Sequence, residues 1–160
     1  MKFREINQKE RQILRKLNKE FHINFDNVFK GKTILISERI EIFVIGSDAY
    51  KTLTAMKKDP YSAGLLIGKI KKDRVDLGLE GAALIAPYSK KTVTVNNREE
   101  QVVLYGGDVL SKSHIKDSGI TPGTRCLIVN KRGEHIATGK TEDDKIFNLK
   151  DRGWYLRSGR

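Results

Sequence analysis

The chain has a single cysteine, Cys126, among its 160 residues, with one tryptophan, two methionines and three prolines. One thiol rules out an intramolecular disulfide and any multi-cysteine zinc site. Its setting in Cys126-Leu127-Ile128-Val129 reads as a buried strand position, where free cysteine packs as a small hydrophobe. Long apolar runs are missing too. No stretch is long enough to span a bilayer, and Met1-Lys2-Phe3-Arg4-Glu5 lacks the continuous apolar run of a signal peptide. A soluble, cytoplasmic protein without a membrane partner is the expectation, nucleolar if the source is eukaryotic. Catalytic signatures are equally scarce. The sequence holds no Walker loop, no GxGxxG turn and no Gly-x-Ser-x-Gly elbow. His22, His114 and His135 lie far apart, without the spacing of metal ligands. Glu99-Glu100 and Asp143-Asp144 read as polar turns. The expectation is a protein that is not an enzyme and needs no metal or cofactor.

What the chain has in excess is positive charge, 31 Lys and Arg against 20 Asp and Glu, for a net +11. Such a balance favours a polyanionic partner, because Lys and Arg that meet phosphates release condensed counterions. Charge alone does not separate RNA, DNA and an anionic membrane, and a solubility surface would look the same. Apolar residues make up 38% and are interleaved with the charges, so the chain has the material for a core and does not read as disordered. The length suits one domain or two small ones.

The pattern along the chain predicts an α+β class. A helix over 7–20 starts at Asn7, with Glu10 three residues on as capping partner and Ile13, Leu14 and Leu17 as apolar stripe. Arg11, Arg15 and Lys19 form an exposed ridge on it. Thr33–Ile36 and Ile40–Ile45 read as an antiparallel hairpin, followed by a helix from Gly46-Ser47-Asp48 to about Lys58 with Tyr50, Leu53 and Met56 facing the core. Strands Gly64–Ile70 and Val75–Leu79 flank a polar turn at Lys71–Arg74, and a short helical stretch Gly81–Ala86 ends at Pro87. The texture then changes, placing a domain boundary near Ser89, with an α+β domain over 1–88 and a small β-barrel over 89–160. In the second half, strands Thr92–Val95 and Gln101–Tyr105 are read around a turn at Asn96-Asn97-Arg98. Then come Arg125–Val129, a turn at Lys131-Arg132-Gly133, His135–Gly139 and a last strand Trp154–Arg157 that closes the barrel.

Three features of the second half carry chemistry. Gly106-Gly107-Asp108, placed between a strand and a helical turn, would let backbone amides approach an anion, or else form a tight turn capped by Asp108. Pro122-Gly123 fits a type II turn, and Gly139 inside a strand suggests a bulge or a place where another backbone or a ligand comes near. At the C-terminus, Lys150, Arg152, Arg157 and Arg160 surround Gly153-Trp154-Tyr155-Leu156. Basic groups there can hold phosphates, and an exposed Tyr or Trp could stack on an unpaired base. On a strand, Trp154 would point into the core and send Tyr155 and Arg157 outward.

Leu104-Tyr105-Gly106-Gly107-Asp108-Val109-Leu110, Thr121-Pro122-Gly123, the Val129–Gly133 turn and Ile136-Ala137-Thr138-Gly139-Lys140 resemble the PUA domain. Ala86-Pro87-Tyr88-Ser89-Lys90 and the stretch to Leu104-Tyr105-Gly106 resemble the Nip-seven family of ribosome biogenesis factors. That resemblance implies an N-terminal antiparallel sheet with helices, the pre-PUA domain, followed by a C-terminal PUA β-barrel. It implies a non-catalytic, monomeric factor of large ribosomal subunit assembly and pre-rRNA processing. It also implies other assembly factors as partners and, for the archaeal type, binding of single-stranded U-rich or AU-rich RNA. The positions it points to are Lys150, Arg152, Arg157 and Arg160, with Gly106 and Gly107 beside them. Gly153-Trp154-Tyr155-Leu156-Arg157 also resembles PUA modules of translation factors of the malignant-T-cell-amplified type. A translation-initiation or tRNA-binding factor therefore remains open, as does an RNA-modifying enzyme.

Overall fold

The computed structural model describes residues 1–110, 114 and 118–159. They divide into two units, residues 1–19 with 24–81, and residues 20–23 with 82–160.

The first unit is built on an antiparallel sheet in the order β1-β2-β3-β4-β5, comprising β1 (Phe3–Glu5), β2 (Lys32–Ser37), β3 (Glu41–Gly46), β4 (Leu65–Lys71) and β5 (Arg74–Leu77). Helix α1 (Gln8–Phe21) opens on a reciprocal capping box. The Glu10 amide donates to Asn7 Oδ1 at 2.9 Å and the Asn7 amide to a Glu10 carboxylate oxygen at 2.8 Å. Arg4 grips the same carboxylate and holds it below the usual carboxylate range. A single turn of helix, α2 (Phe25–Val28), separates α1 from β2. The β2–β3 hairpin forms as its pattern implies, although Ile40 takes a left-handed turn conformation and the strand starts at Glu41. Leu35, Phe43, Ile45 and Ala63 form an apolar cluster, against which Tyr50 and Leu53 of α3 (Ser47–Ala55) pack. The expectation that Met56 also faces the core is corrected. The helix ends at Ala55, the backbone turns extended at Met56, and this side chain lies half in solvent.

The second unit carries α4 (Leu79–Ile85) across its junction with the first, then a 3-10 turn at Ala86–Tyr88. A four-stranded sheet follows in the order β6-β7-β8-β9, comprising β6 (Thr92–Thr94), β7 (Arg125–Val129), β8 (His135–Thr141) and β9 (Ile146–Asp151). β6 runs parallel to β7 and the other pairs are antiparallel. One isolated bridge, Val109 to Ile146, adds to the sheet. The bulge expected at Gly139 is present between Thr138 and Gly139. A Cβ there would lie 2.6 Å from Ile146 Cγ2 and 2.9 Å from the Phe147 carbonyl oxygen.

Two strands read from the sequence are not strands. Of Gln101–Tyr105, residues 101–104 belong to helix α5 (Asn97–Leu104) with Tyr105 as its C-cap, and the supposed turn at Asn96 is its N-cap. The Glu99 amide donates to Asn96 Oδ1 at 3.0 Å and the Asn96 amide to Glu99 Oε2 at 2.9 Å. Trp154–Arg157 is a four-residue C-terminal helix, so the last strand is β9, which sequence reasoning passed over.

The core of this unit is aliphatic, with Val93, Val95, Val103, Val109, Ile120, Ile128, Ile136, Ala137 and Ile146 around Cys126. Burial pushes the Cys126 thiol up to about 12, far from the thiolate that reacts with electrophiles. Iodoacetamide at pH 8 is therefore expected to leave the folded chain unlabelled and to alkylate Cys126 once denaturant unfolds it. Rapid stoichiometric labelling of the native protein would contradict this burial.

Candidate nucleic-acid interface

Helix α5 ends in a double hydrogen bond of the Schellman type. The Gly107 amide donates to the Val102 carbonyl at 2.8 Å and the Gly106 amide to the Val103 carbonyl at 2.9 Å, with Gly106 in the left-handed region at φ +90°. This corrects the placement of Gly106-Gly107-Asp108 between a strand and a helical turn. The turn follows the C-terminal end of a helix, where the macrodipole is negative and favours cations. Both glycine amides are already spent on carbonyls, so they do not form an open anion cradle.

A cation does occupy that end. Arg157 reaches back from the C-terminal helix, and its Nη1 donates to the Leu104 carbonyl, the last residue of α5. The same guanidinium forms a fork on Asp151, Nη1 to Oδ1 and Nη2 to Oδ2, both at 3.0 Å. This hydrogen-bonded pairing raises the Arg157 pKa still further above its ordinary value. A Cβ at Gly106 would lie 3.1 Å from Arg157 Nη2, so the guanidinium lies against the glycine.

Strand β9 supplies the other half of the arrangement. Asp151, at its end, is buried, while its neighbour Lys150 points into solvent. Asn148 ties strand to turn. Its Nδ2 donates to the Val103 carbonyl at 2.9 Å and lies 3.2 Å from both the Gly107 carbonyl and Asp151 Oδ2, while Asp108 Oδ1 accepts the Asn148 amide at 2.9 Å. Gly153 closes the assembly by resting against the Leu104 carbonyl.

The structure thus brings Gly106, Gly107 and Arg157 together from distant parts of the sequence, and places Lys150 and Arg152 on the adjoining chain. Lys150 has no carboxylate partner among the described residues. Arg152 is held to its surroundings, Nε donating to the His135 carbonyl at 2.8 Å. Arg160 lies outside the described residues. Arg157 does not stand out from a strand into water, as expected, because it folds back from a helix onto a buried carboxylate. The expectation of a core position for Trp154 is corrected as well. Trp154 and Tyr155 are both largely exposed and meet edge to face at 5.3 Å, because Gly153 takes the tightly packed place beside α5. Sequence reasoning missed Asn148, Asp151 and Gly153. Once β9 is known, strand alternation sends Asp151 and Lys150 to opposite faces.

An α+β unit joined to a unit with this sheet and this glycine turn defines a PUA-domain protein with an N-terminal pre-PUA extension. The model of the NIP7/UPF0113 pre-PUA domain matches residues 3–79, and that of the UPF0113 PUA domain matches residues 91–160. A UPF0113 protein of Archaeoglobus fulgidus is 27% identical over 169 aligned positions, covering 98% of this chain and 95% of its own. Two solved structures share the fold. One is a hypothetical protein of Pyrococcus horikoshii OT3, with TM-score 0.54, 13% identity, 97% of this chain and 99% of its own covered. The other is a conserved PUA domain protein of Thermoplasma acidophilum, with TM-score 0.51, 14% identity, 99% of this chain and 100% of its own covered. The chain belongs to the NIP7/UPF0113 family. Among the described residues, no helix is long and apolar enough to cross a membrane.

Proposed function

We propose that this chain is a non-catalytic RNA-binding factor of large ribosomal subunit assembly that holds a single-stranded, U-rich or AU-rich segment of precursor rRNA. In this reading residues 89–160 grip the RNA, and residues 1–88 serve as a pre-PUA domain that meets other assembly factors. The observation that carries it is the convergence of the Gly106-Gly107 turn with the basic chain from Lys150 to Arg157 in a protein of net charge +11. Lys150, Arg152 and Arg160 are the proposed phosphate contacts. Arg157, Gly106 and Gly107 have a different part, with Gly106 admitting the guanidinium, Gly107 closing the turn against Val102, and the guanidinium shaping the surface that RNA meets.

The charge distribution adds a consequence. The first unit holds 17 Lys and Arg against 10 Asp and Glu, a net +7, and the second holds 14 against 10, a net +4. Three phosphate contacts on single-stranded RNA correspond to a log–log salt slope of roughly −2.1, at ~0.7 each. A steeper slope for the full chain would mean that cations of the first unit also meet RNA.

The test is binding of oligo(U) and AU-rich oligonucleotides against a duplex of equal length, across a salt series. Lys150→Ala is expected to weaken binding and flatten the slope by about 0.7. No binding of any RNA at low salt would sink the reading. RNA recovered by crosslinking in cells decides the pathway, with precursor large-subunit rRNA expected and tRNA or small-subunit RNA pointing to translation instead.

A further inference from the structure

We infer that Trp154, Tyr155 and Tyr105 form a platform on which unpaired RNA bases stack, so that this surface recognises nucleobases as well as phosphates. The inference rests on the RNA-binding reading above and deepens it.

Large aromatic side chains ordinarily dominate the cores of small domains, because each buries a large apolar area. Here the aliphatic cluster around Cys126 contains none, and among the described residues of the second unit Phe21 is the one fully buried aromatic. The aromatics lie outside it, with Trp154 at 56%, Tyr155 at 63% and Tyr105 at 78% relative exposure. Tyr105 sits between Leu104 and Gly106, the two residues that Gly153 and Arg157 touch, so its backbone lies beside the start of the helix that carries Trp154 and Tyr155. Leu149 and Leu156, also exposed, add apolar surface to the same stretch of chain. A patch of this kind signals a partner.

The chemistry of the surroundings selects the partner. From Leu149 to Arg160 the sequence has four basic residues, Lys150, Arg152, Arg157 and Arg160, and a single acid. That acid, Asp151, is buried and paired with Arg157, so it does not repel an approaching polyanion. Exposed aromatic faces set among cations are the combination that binds single strands, since every base has a π-face and each nucleotide brings a negative charge. A protein partner would have to be both apolar and acidic to fit equally well.

Trp154 is the sole tryptophan, so the intrinsic fluorescence of the full-length protein reports this surface directly. Three probes of equal length distinguish the possibilities, a single-stranded oligo(U), an abasic ribose-phosphate oligomer and an RNA duplex. Stacking requires that oligo(U) quench Trp154 while the abasic oligomer binds more weakly and leaves the emission unchanged. Tyr155→Ala and Tyr105→Ala, both at exposed positions, should each lower oligo(U) affinity roughly 5- to 150-fold with the salt slope intact, and Tyr155→Phe should retain it. If oligo(U) and the abasic oligomer bind alike and Trp154 emission ignores both, the platform is refuted while RNA binding stands. If neither binds at low salt, the RNA-binding reading fails and the platform with it.

Discussion

Replacing Gly153 with alanine is expected to destabilise the second unit by about 3 kcal/mol, the upper end of the usual overpacking range. Gly153 has an ordinary helical backbone, φ −69° and ψ −14°, so no conformational strain enters. The effect is purely one of space. An added Cβ would fall onto the Leu104 carbonyl oxygen, with the Leu104 carbonyl carbon at 2.7 Å and Arg157 Nη1 at 2.9 Å. The obstacle is backbone at the end of α5, which cannot swing aside as the tip of a side chain can. To admit the methyl group, the C-terminal helix must lift away from α5 and carry Arg157 off its two acceptors. Gly159→Ala is the matched control, because its Cβ would meet nothing closer than the Tyr155 carbonyl at 3.7 Å. That change is expected to stay within about 0.5 kcal/mol of the parent. Urea unfolding of the two variants measures the difference, and equal midpoints would mean that Gly153 is not packed against α5.

Gly153 also marks where the sequence stops being readable. Its neighbours Trp154-Tyr155-Leu156-Arg157 look like a strand by composition, and the true strand before them does not. β9 contains Asn148, Lys150 and Asp151, residue types depleted in sheets, and it pairs because its partner β8 and its buried Ile146 demand it. The same override hid α5. Asn96 and Glu99 repeat the signature that located α1 from Asn7 and Glu10, but Val102-Val103 pulled the reading towards a strand. Burial along this segment follows helical spacing, with Glu99, Glu100, Val103 and Leu104 turned inward while Gln101 and Val102 face solvent together, a run of two that strand alternation does not give. Local patterns therefore located the five-stranded sheet of the first unit, save its short first strand, and the β7–β8 hairpin. Of the candidate site, the glycine turn and the basic tail were visible as separate motifs. Their connection through Asp151 and Asn148 was not, because it depends on which face of an unread strand each side chain takes.

That connection changes what Arg157 is expected to do. A guanidinium free in solvent would contribute to RNA binding through its charge, like Lys150. In this protein the charge of Arg157 is already balanced by Asp151, and its donors on that side are taken by the carboxylate and the Leu104 carbonyl. Arg157→Ala leaves the buried Asp151 carboxylate with the Asn148 amide nearby but no cation, the costlier way to break such a pair. Asp151→Ala, by contrast, leaves a guanidinium that can turn to water and forfeits only the hydrogen bonds the carboxylate made. Arg157→Ala is thus expected to lower the urea midpoint more than Asp151→Ala does, with Lys150→Ala leaving it unchanged. Arg157→Lys should not rescue it, since an ammonium cannot reproduce the two-pronged contact. RNA binding by Arg157→Ala should weaken while the salt slope changes by much less than the ~0.7 expected for a true phosphate contact. A variant that kept its stability but lost a full contact from the slope would place this guanidinium against the RNA backbone and not against Asp151.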